Sequence, residues 1–334
     1  MQSICIVRLS ALGDVLMLVP LVRTLQKYLP GVSLTWVISR PAYELVEGIE
    51  GVEFIVIDKP RGWRDYWRFK QQLRGRHFDV LLAAQASFRA NVLYPCISAT
   101  RKIGYDPLRA KDGQGWVTTE VITPGEDHTV DGFLKFAAPL GVVDKDIRWD
   151  LPIPDASIVW ARAQLPEGSV VLINPAASKP ERSWLVERYV AVIKQIQCRW
   201  QLPVVLIGGP DHYDESLGNA IAAEVPVRNL IGQTNLKQLL AVIAQGRLLI
   251  CPDTGPSHMA TAVGTPVVAL HAVTSSAVSG PYLCRHWAVD CYPEAVRQRL
   301  QSTAPAWGSH IHGPKTMRLV TVEAVMIRLT QILG

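Results

Sequence analysis

Eight short apolar runs, each followed by a stretch of helical character, constrain this chain more than any other feature of it. In the first half they read ICIVRLS, SLTWVIS, EFIVID and FDVLLAAQ, with helical segments predicted at 15–28, 43–47, 63–74 and 88–97. Runs this rich in β-branched residues, without strict polar alternation, suit strands covered on both faces. Alternated with amphipathic stretches, they predict βαβ units and a parallel, doubly wound α/β sheet. The pattern halts at WDLPIPDAS, where two prolines stand among short polar residues, and restarts with SVVLINPAAS, LPVVLIGGP, GRLLICPDTG and TPVVALHAV.

At roughly 100–200 residues per domain, a chain of 334 residues has room for two such units. The boundary predicted at the proline stretch gives 1–155 and 156–334. The tail VTVEAVMIRLTQIL has helical periodicity, with Val320, Val322, Val325, Ile327 and Leu329 on a wide apolar face. It reads as a closing helix, with the option of packing back towards the first domain.

Composition narrows the class. No run approaches the ~20 apolar residues of a membrane span. The start, MQSICIVRLS, enters a strand directly without the apolar core of a signal peptide, so a cytoplasmic protein is expected. Six cysteines at 5, 96, 198, 251, 284 and 291 form no CxxC pair, which suits reduced thiols. Cys284 and Cys291 near His286 match no zinc spacing, and no metal site is expected.

The net charge of +5 hides a strong local bias: from Lys59 to Lys111 there are twelve Lys/Arg against three acids. Such a block implies an anionic partner, or else a solvated helix face. Nucleic acid is the weaker candidate, because no recognisable nucleic-acid module accompanies the charge. A dinucleotide oxidoreductase is disfavoured too, since no GxGxxG follows the first strand.

Ligands of open α/β sheets bind beyond the carboxyl ends of the strands, at helix N-termini. Four motifs stand there. SALGDVLMLVP puts Asp14 in a first helical turn, as a cap or as a working carboxylate. CPDTGPSHMATAVGTP offers a Gly turn, hydroxyls and free amides at Asp253, Thr254, Gly255, Ser257 and His258, either capping a helix or cradling a diphosphate. NPAASKPERSW brings Lys179 and Arg182 to a strand end beside small residues. LIGGPDHYDES carries Asp214 and Glu215, either of which could accept from ribose hydroxyls, while Asp211 could cap the helix.

Taken in order, RLSALGDVLMLVPLVRTL, AAQASFRA, KPERSW, GGPD and CPDTGPSHMATAVGTPVVALHAVT resemble glycosyltransferase family nine, best known for the lipopolysaccharide heptosyltransferases. The resemblance implies a GT-B fold, two Rossmann-like doubly wound parallel-sheet domains facing across a cleft. It further implies inverting, metal-independent transfer of heptose from ADP-heptose, a co-substrate, with no cofactor. The acceptor implied is anionic, the Kdo or heptose of a lipid A-type inner core. Asp14 occupies the position of the family's proposed general base. Donor contacts are implied at Ser10, Gly13, Ser178, Arg182, Asp214, Asp253, Thr254, Gly255 and His258. Acceptor contacts are implied at Arg61, Arg64, Arg89, Arg109 and His128. The chain departs from the family with Arg182 in place of a lysine, AQA at 84–86 and AVT at 272–274.

The chemistry is coherent with those residues. An acceptor hydroxyl near pH 7 needs a carboxylate within hydrogen-bond reach to take its proton. Without a metal, the departing diphosphate needs the helix N-terminus at Gly255, His258 and Arg182. Exposed charges and the aromatics of WRDYW could rest on the anionic inner leaflet of a membrane. Transfer to a protein or another glycan, and nucleotide-sugar binding without turnover, remain as alternatives.

Overall fold

A computed structural model describes residues 1–300, 305–313 and 315–334. The chain divides into two compact units, Met1–Pro152 and Ile153–Gly334.

The first unit runs β1 (Ser3–Val7), α1 (Leu12–Tyr28), β2 (Ser33–Ser39), α2 (Arg40–Val46), β3 (Val52–Ile57), α3 (Trp63–Gln72), β4 (Phe78–Leu82), α4 (Phe88–Leu93), β5 (Ala99–Gly104), β6 (Glu120–Val121) and α5 (Thr129–Leu134). Its six strands are all parallel in the order β3-β2-β1-β4-β5-β6. Helix α1 is buried continuously from Val15 to Leu25, as expected of a helix sandwiched between sheet and α5. On the other face, Phe69 and Leu73 at the end of the α3 stretch share a core with Ala90 and Leu93 of α4 and Val7 and Leu81 of the sheet. Trp149, the first residue of the proline stretch, belongs to this unit: it is buried and its indole donates to the Leu16 carbonyl at 2.8 Å.

The second unit runs α6 (Asp155–Gln164), β7 (Val171–Ile173), α7 (Val186–Trp200), β8 (Val204–Leu206), α8 (His212–Ala222), β9 (Arg228–Asn229), α9 (Leu236–Gln245), β10 (Leu248–Pro252), α10 (Gly255–Val263), β11 (Val267–His271), α11 (Ser276–Ser279), β12 (Val289–Asp290), α12 (Tyr292–Leu300) and α13 (Val322–Leu333). Its strands are parallel in the order β12-β11-β10-β7-β8-β9. Counted from its own first strand, this is the same winding as in the first unit, and both match the doubly wound order 3-2-1-4-5-6.

All eight predicted runs form strands at the expected places, and four more strands join at or near the sheet margins: β5, β6, β9 and β12. Those four, ATRKIG, EV, RN and VD, are short or polar and carry no apolar run of their own. The tail forms α13 and packs on α7, β11 and β12. Its buried side is Val325, Met326 and Leu329, whereas Ile327, assigned to the apolar face by the sequence pattern, is 58% exposed.

Candidate active site

In a sheet of order 3-2-1-4-5-6 the winding reverses between strands 1 and 4, and the loops leaving those two strands diverge to leave a crevice. The first unit places its motifs there, after β1 and β4. Asp14 is the third residue of α1, and its Oδ2 accepts from the Ala11 amide at 3.1 Å, the reach-back of an N-terminal cap. The same oxygen pairs with Arg8 at 2.5 Å. Arg8 ends the β1 stretch and crosses to β4, donating to the Ala84 carbonyl at 2.9 Å with its guanidinium over the Phe133 ring. Burial works against the charge on Arg8, but the carboxylate of Asp14, with Tyr105 and Tyr94, outweighs it and raises the pKa of Arg8. The Leu9 amide donates to Gln85 Oε1 at 2.7 Å, so the AQA segment is stitched to the turn ahead of Asp14. With 31% of its side chain exposed, Asp14 is aligned by fixed partners and still open to solvent. Ser10 and Gly13 line the same turn, both half-buried.

The basic residues implied for the acceptor divide into two groups. Arg61, Arg64 and Arg89 are exposed, at the start of α3 and of α4. Arg109 and His128 are buried. Arg109 pairs with Asp106 at 2.7 Å and with Asp127 at 3.2 Å, and it packs so closely on α5 that a Cβ at Gly132 would lie 3.2 Å from its Nε. Lys135 also pairs with Asp127, and these cations outweigh burial and hold the Asp127 carboxyl low. His128 caps α5, its Nδ1 accepting from the Val130 amide at 3.1 Å. The charge of Arg109 is thus already matched within the chain, whereas the three exposed arginines make no ion pair among the described residues.

The second unit repeats the arrangement beyond β7 and β10. Asp253 ends the β10 stretch and is buried. Its Oδ2 accepts from Thr274 Oγ1 at 2.8 Å and from Ser279 Oγ at 3.4 Å and pairs with Arg182 at 3.2 Å. Burial alone would push this carboxyl up, but His271, His258, Arg182 and the Thr274 hydroxyl hold it below the usual range. Arg182 also donates to Ser178 Oγ at 2.6 Å, tying together the loop after β7.

Helix α10 begins immediately after Thr254, and neither expected hydroxyl caps it: Thr254 makes no side-chain cap, and Ser257 Oγ donates to the Thr254 carbonyl at 2.8 Å. The helix start is thus left without a side-chain cap, with Gly255 at its first position and His258 buried in its first turn, an arrangement that favours an anion. Asp214, on α8, accepts from the Gly209 amide at 2.9 Å and buttresses the Gly-Gly turn; burial pushes its carboxyl up.

Sequence reasoning did not single out several partners. Arg8 and Gln85 lie within quoted motifs but were given no role. His271 and Thr274 complete the surroundings of Asp253, and only the tertiary fold brings them there. His312 pairs with Glu181 beside Arg182, and burial together with Arg182 and Lys179 lowers the pKa of His310. Among the described residues no three His, Cys, Asp or Glu side chains are grouped to hold a metal ion.

Comparison with known proteins bears on the whole chain. A model of glycosyltransferase family 9 (heptosyltransferase) matches residues 66–304. The lipopolysaccharide core heptosyltransferase OpsX of Haemophilus influenzae is 32% identical, over 99% of this chain and 97% of that protein. Lipopolysaccharide heptosyltransferase 3 of Escherichia coli is 24% identical, over 83% and 86%. Among solved structures, a glycosyltransferase family 9 protein from Veillonella parvula has a TM-score of 0.80 at 21% identity, covering 99% of this chain and 97% of its own. E. coli heptosyltransferase WaaC with ADP has 0.75 at 19%, covering 99% and 100%. Two doubly wound units of one topology, each with its motifs at the switch point, are the GT-B architecture, and with the family match across most of its length the chain belongs to glycosyltransferase family 9, the heptosyltransferases, and is a glycosyltransferase.

Proposed function

We propose that this chain is a lipopolysaccharide core heptosyltransferase that transfers heptose from ADP-heptose to the Kdo or heptose of an anionic, lipid-anchored inner core. The observation that carries the catalytic part is Asp14, a carboxylate aligned by Arg8 and the Ala11 amide yet still exposed. Full-length similarity to a lipopolysaccharide core heptosyltransferase supports the substrate class. The structures of WaaC with ADP and with ADP-2-deoxy-2-fluoro heptose, which share the fold, support an ADP-sugar donor.

In this reading the acceptor hydroxyl attacks the anomeric carbon from the face opposite the diphosphate, which inverts the configuration there. Asp14 takes the hydroxyl proton as the new C–O bond forms. The anomeric C–O bond to ADP breaks, and the charge on the departing diphosphate is met by the α10 N-terminus at Gly255, by His258 and by Arg182. No metal takes part in this scheme. Arg182 is held ready by Asp253 and Ser178, so Asp253 acts by orienting a cation rather than by touching phosphate. The family resemblance makes Ser10, Gly13 and Thr254 donor contacts, and Asp214 stiffens the Gly-Gly turn after β8.

Arg61, Arg64 and Arg89 would meet acceptor carboxylates and phosphates, whereas Arg109 and His128, both buried, serve as wall around α5 rather than as contacts. A lipid-anchored acceptor implies work at the anionic cytoplasmic face of the inner membrane. Transfer measured with ADP-heptose and purified core acceptors, wild type against Asp14→Asn, tests the assignment. Near-complete loss of turnover with ADP affinity intact is expected, and an active variant would remove Asp14 from catalysis.

A further inference from the structure

The outer face of α3 sets large exposed aromatics among cations. Trp63 and Trp67 are 73% and 57% exposed. With Lys70 and Arg74 they follow one another at spacings of four, three and four residues, which stacks them along one stripe from α3 into the turn after it. Arg64 and Arg68 flank that stripe, and all four cations are exposed. The inward side, Phe69 and Leu73, is committed to the core, so the stripe is not a misplaced interior face. The one acid of the helix, Asp65, turns back to accept from the Arg61 and Gly62 amides at 2.8 and 3.2 Å, and its other oxygen lies 3.9 Å from Arg68. Two large indoles in water would be a pointless hydrophobic exposure on a helix whose exposed face is otherwise charged or polar.

At the far end of this stripe lies a cavity of about 500 Å³, lined by Lys70, Arg74, Arg76, His77, Cys96 and Ser98. Arg76 is already neutralised by Glu53. Lys70 and Arg74 have no ion-pair partner among the described residues. The ring of His77 bridges Ser98 Oγ at 2.8 Å and Thr100 Oγ1 at 2.9 Å, which fixes the cavity floor. The cavity sits where β4 and β5 begin, at the opposite end of the sheet from Asp14. It is therefore no part of the transfer site.

We infer that the outer face of α3 is a docking surface for an anionic lipid bilayer, with Trp63 and Trp67 at headgroup depth and lipid phosphates taken by Lys70 and Arg74 at the cavity mouth. Charge complementarity selects this occupant: unpaired cations suit the anionic leaflet, and indoles among them suit the interfacial belt, where one edge is apolar and the other wet. The inference rests on the lipid-anchored acceptor proposed above, to which it adds a surface and an orientation.

The test uses the full chain and acceptor-free vesicles of phosphatidylcholine alone or mixed with phosphatidylglycerol. Flotation should show at least ~10-fold stronger binding to the anionic vesicles, lost near ~1 M salt, with a blue shift of tryptophan emission. Lys70→Glu with Arg74→Glu should weaken binding by ~10-fold or more. Trp63→Ser with Trp67→Ser should abolish the blue shift. Both variants should keep the wild-type melting temperature, which shows that they fold.

Equal binding to neutral vesicles, wild-type binding by both variants, preference for nucleic acid over vesicles, or full displacement by inorganic phosphate at modest concentration would each overturn the proposal. Asp14→Asn should bind vesicles as wild type does. A failure of vesicle binding with transfer intact would therefore sink the docking surface alone, and an active Asp14→Asn would sink the catalytic reading alone.

Discussion

The two units share one winding, and each puts an arginine–aspartate pair where that winding reverses, yet the pairs differ in kind. In the first, Arg8 ends the central strand and Asp14 opens the next helix, with the carboxylate side chain 31% exposed. In the second, Arg182 comes from the loop after one strand and Asp253 from the end of its neighbour, with the carboxylate side chain 10% exposed. Asp253 is enclosed by Thr274, Ser279, Arg182 and two histidines that hold its charge in place. An exposed carboxylate with aligned partners suits proton transfer; an enclosed one suits holding other groups still. The same scaffold feature has been turned to reaction on one side and to preorganisation on the other.

The largest effect expected from that contrast is on turnover. Asp14→Asn should lower kcat by ~10²–10⁴-fold at a stability cost of about 1–3 kcal/mol, because the amide still fits the site but takes no proton and no longer balances the charge of Arg8. Steady-state kinetics alongside urea unfolding would separate the two quantities. The reverse pattern, stability lost and turnover spared, would make Asp14 a plain cap.

Arg109→Ala should cost about 3–5 kcal/mol of stability, since it strands the fully buried Asp106 carboxylate. Denaturant unfolding reads this directly. Arg61→Ala, at an exposed arginine, should stay within ~0.5 kcal/mol of wild type and show itself in the acceptor KM alone. If Arg109→Ala is as stable as Arg61→Ala, the division between wall and contact arginines is wrong.

Arg182→Ala should weaken ADP binding by about 10–100-fold in calorimetric titration, through loss of a charge-assisted contact. Asp253→Asn should weaken it less, because Arg182 keeps its charge and its bond to Ser178. Equal losses would mean that Asp253 itself contacts the donor.

The smallest effect is on acid stability. The Asp253 carboxyl titrates lower folded than unfolded. Its stabilisation is therefore fully present above the unfolded value, about 3.9, and is lost as pH falls through the folded one. Followed from neutral pH to about pH 3, the urea midpoint of wild type should fall more steeply than that of Asp253→Asn. Parallel curves would show that the pair adds nothing to folding.

Local features made much of this legible. The strands named from the sequence are those with a continuous apolar run, including the half-buried edge strand β3, and β5, β6, β9 and β12 escaped because they are short or polar segments paired at or near the sheet margins. Ile327 failed by the same logic: wide apolar periodicity marks a helix, but which part of its face is covered depends on α7, β11 and β12. Asp14 and Gly255 were found because a helix start after a strand is visible in a few neighbouring residues. The fates of Arg109 and His128 were not visible, because burial against α5 and pairing with Asp127 are matters of packing.

By itself, then, the sequence determined the alternation that dictates doubly wound sheets, the interruption at WDLPIPDAS, the carboxylate at a helix start and the basic bias of the region around α3. These follow from side-chain period, backbone propensity and charge, which act within a few residues. Tertiary structure alone decided that β1 lies beside β4 and β7 beside β10. The second adjacency brings Arg182 to Asp253 across 71 positions, and that of β10 and β11 brings Thr274 to it across 21. The first lets Arg8 reach Ala84 while holding Asp14. Hydrogen bonds and ion pairs fall off within a few ångströms, so which residues share a site is settled by strand order, and strand order is settled by how two amphipathic layers cover a sheet.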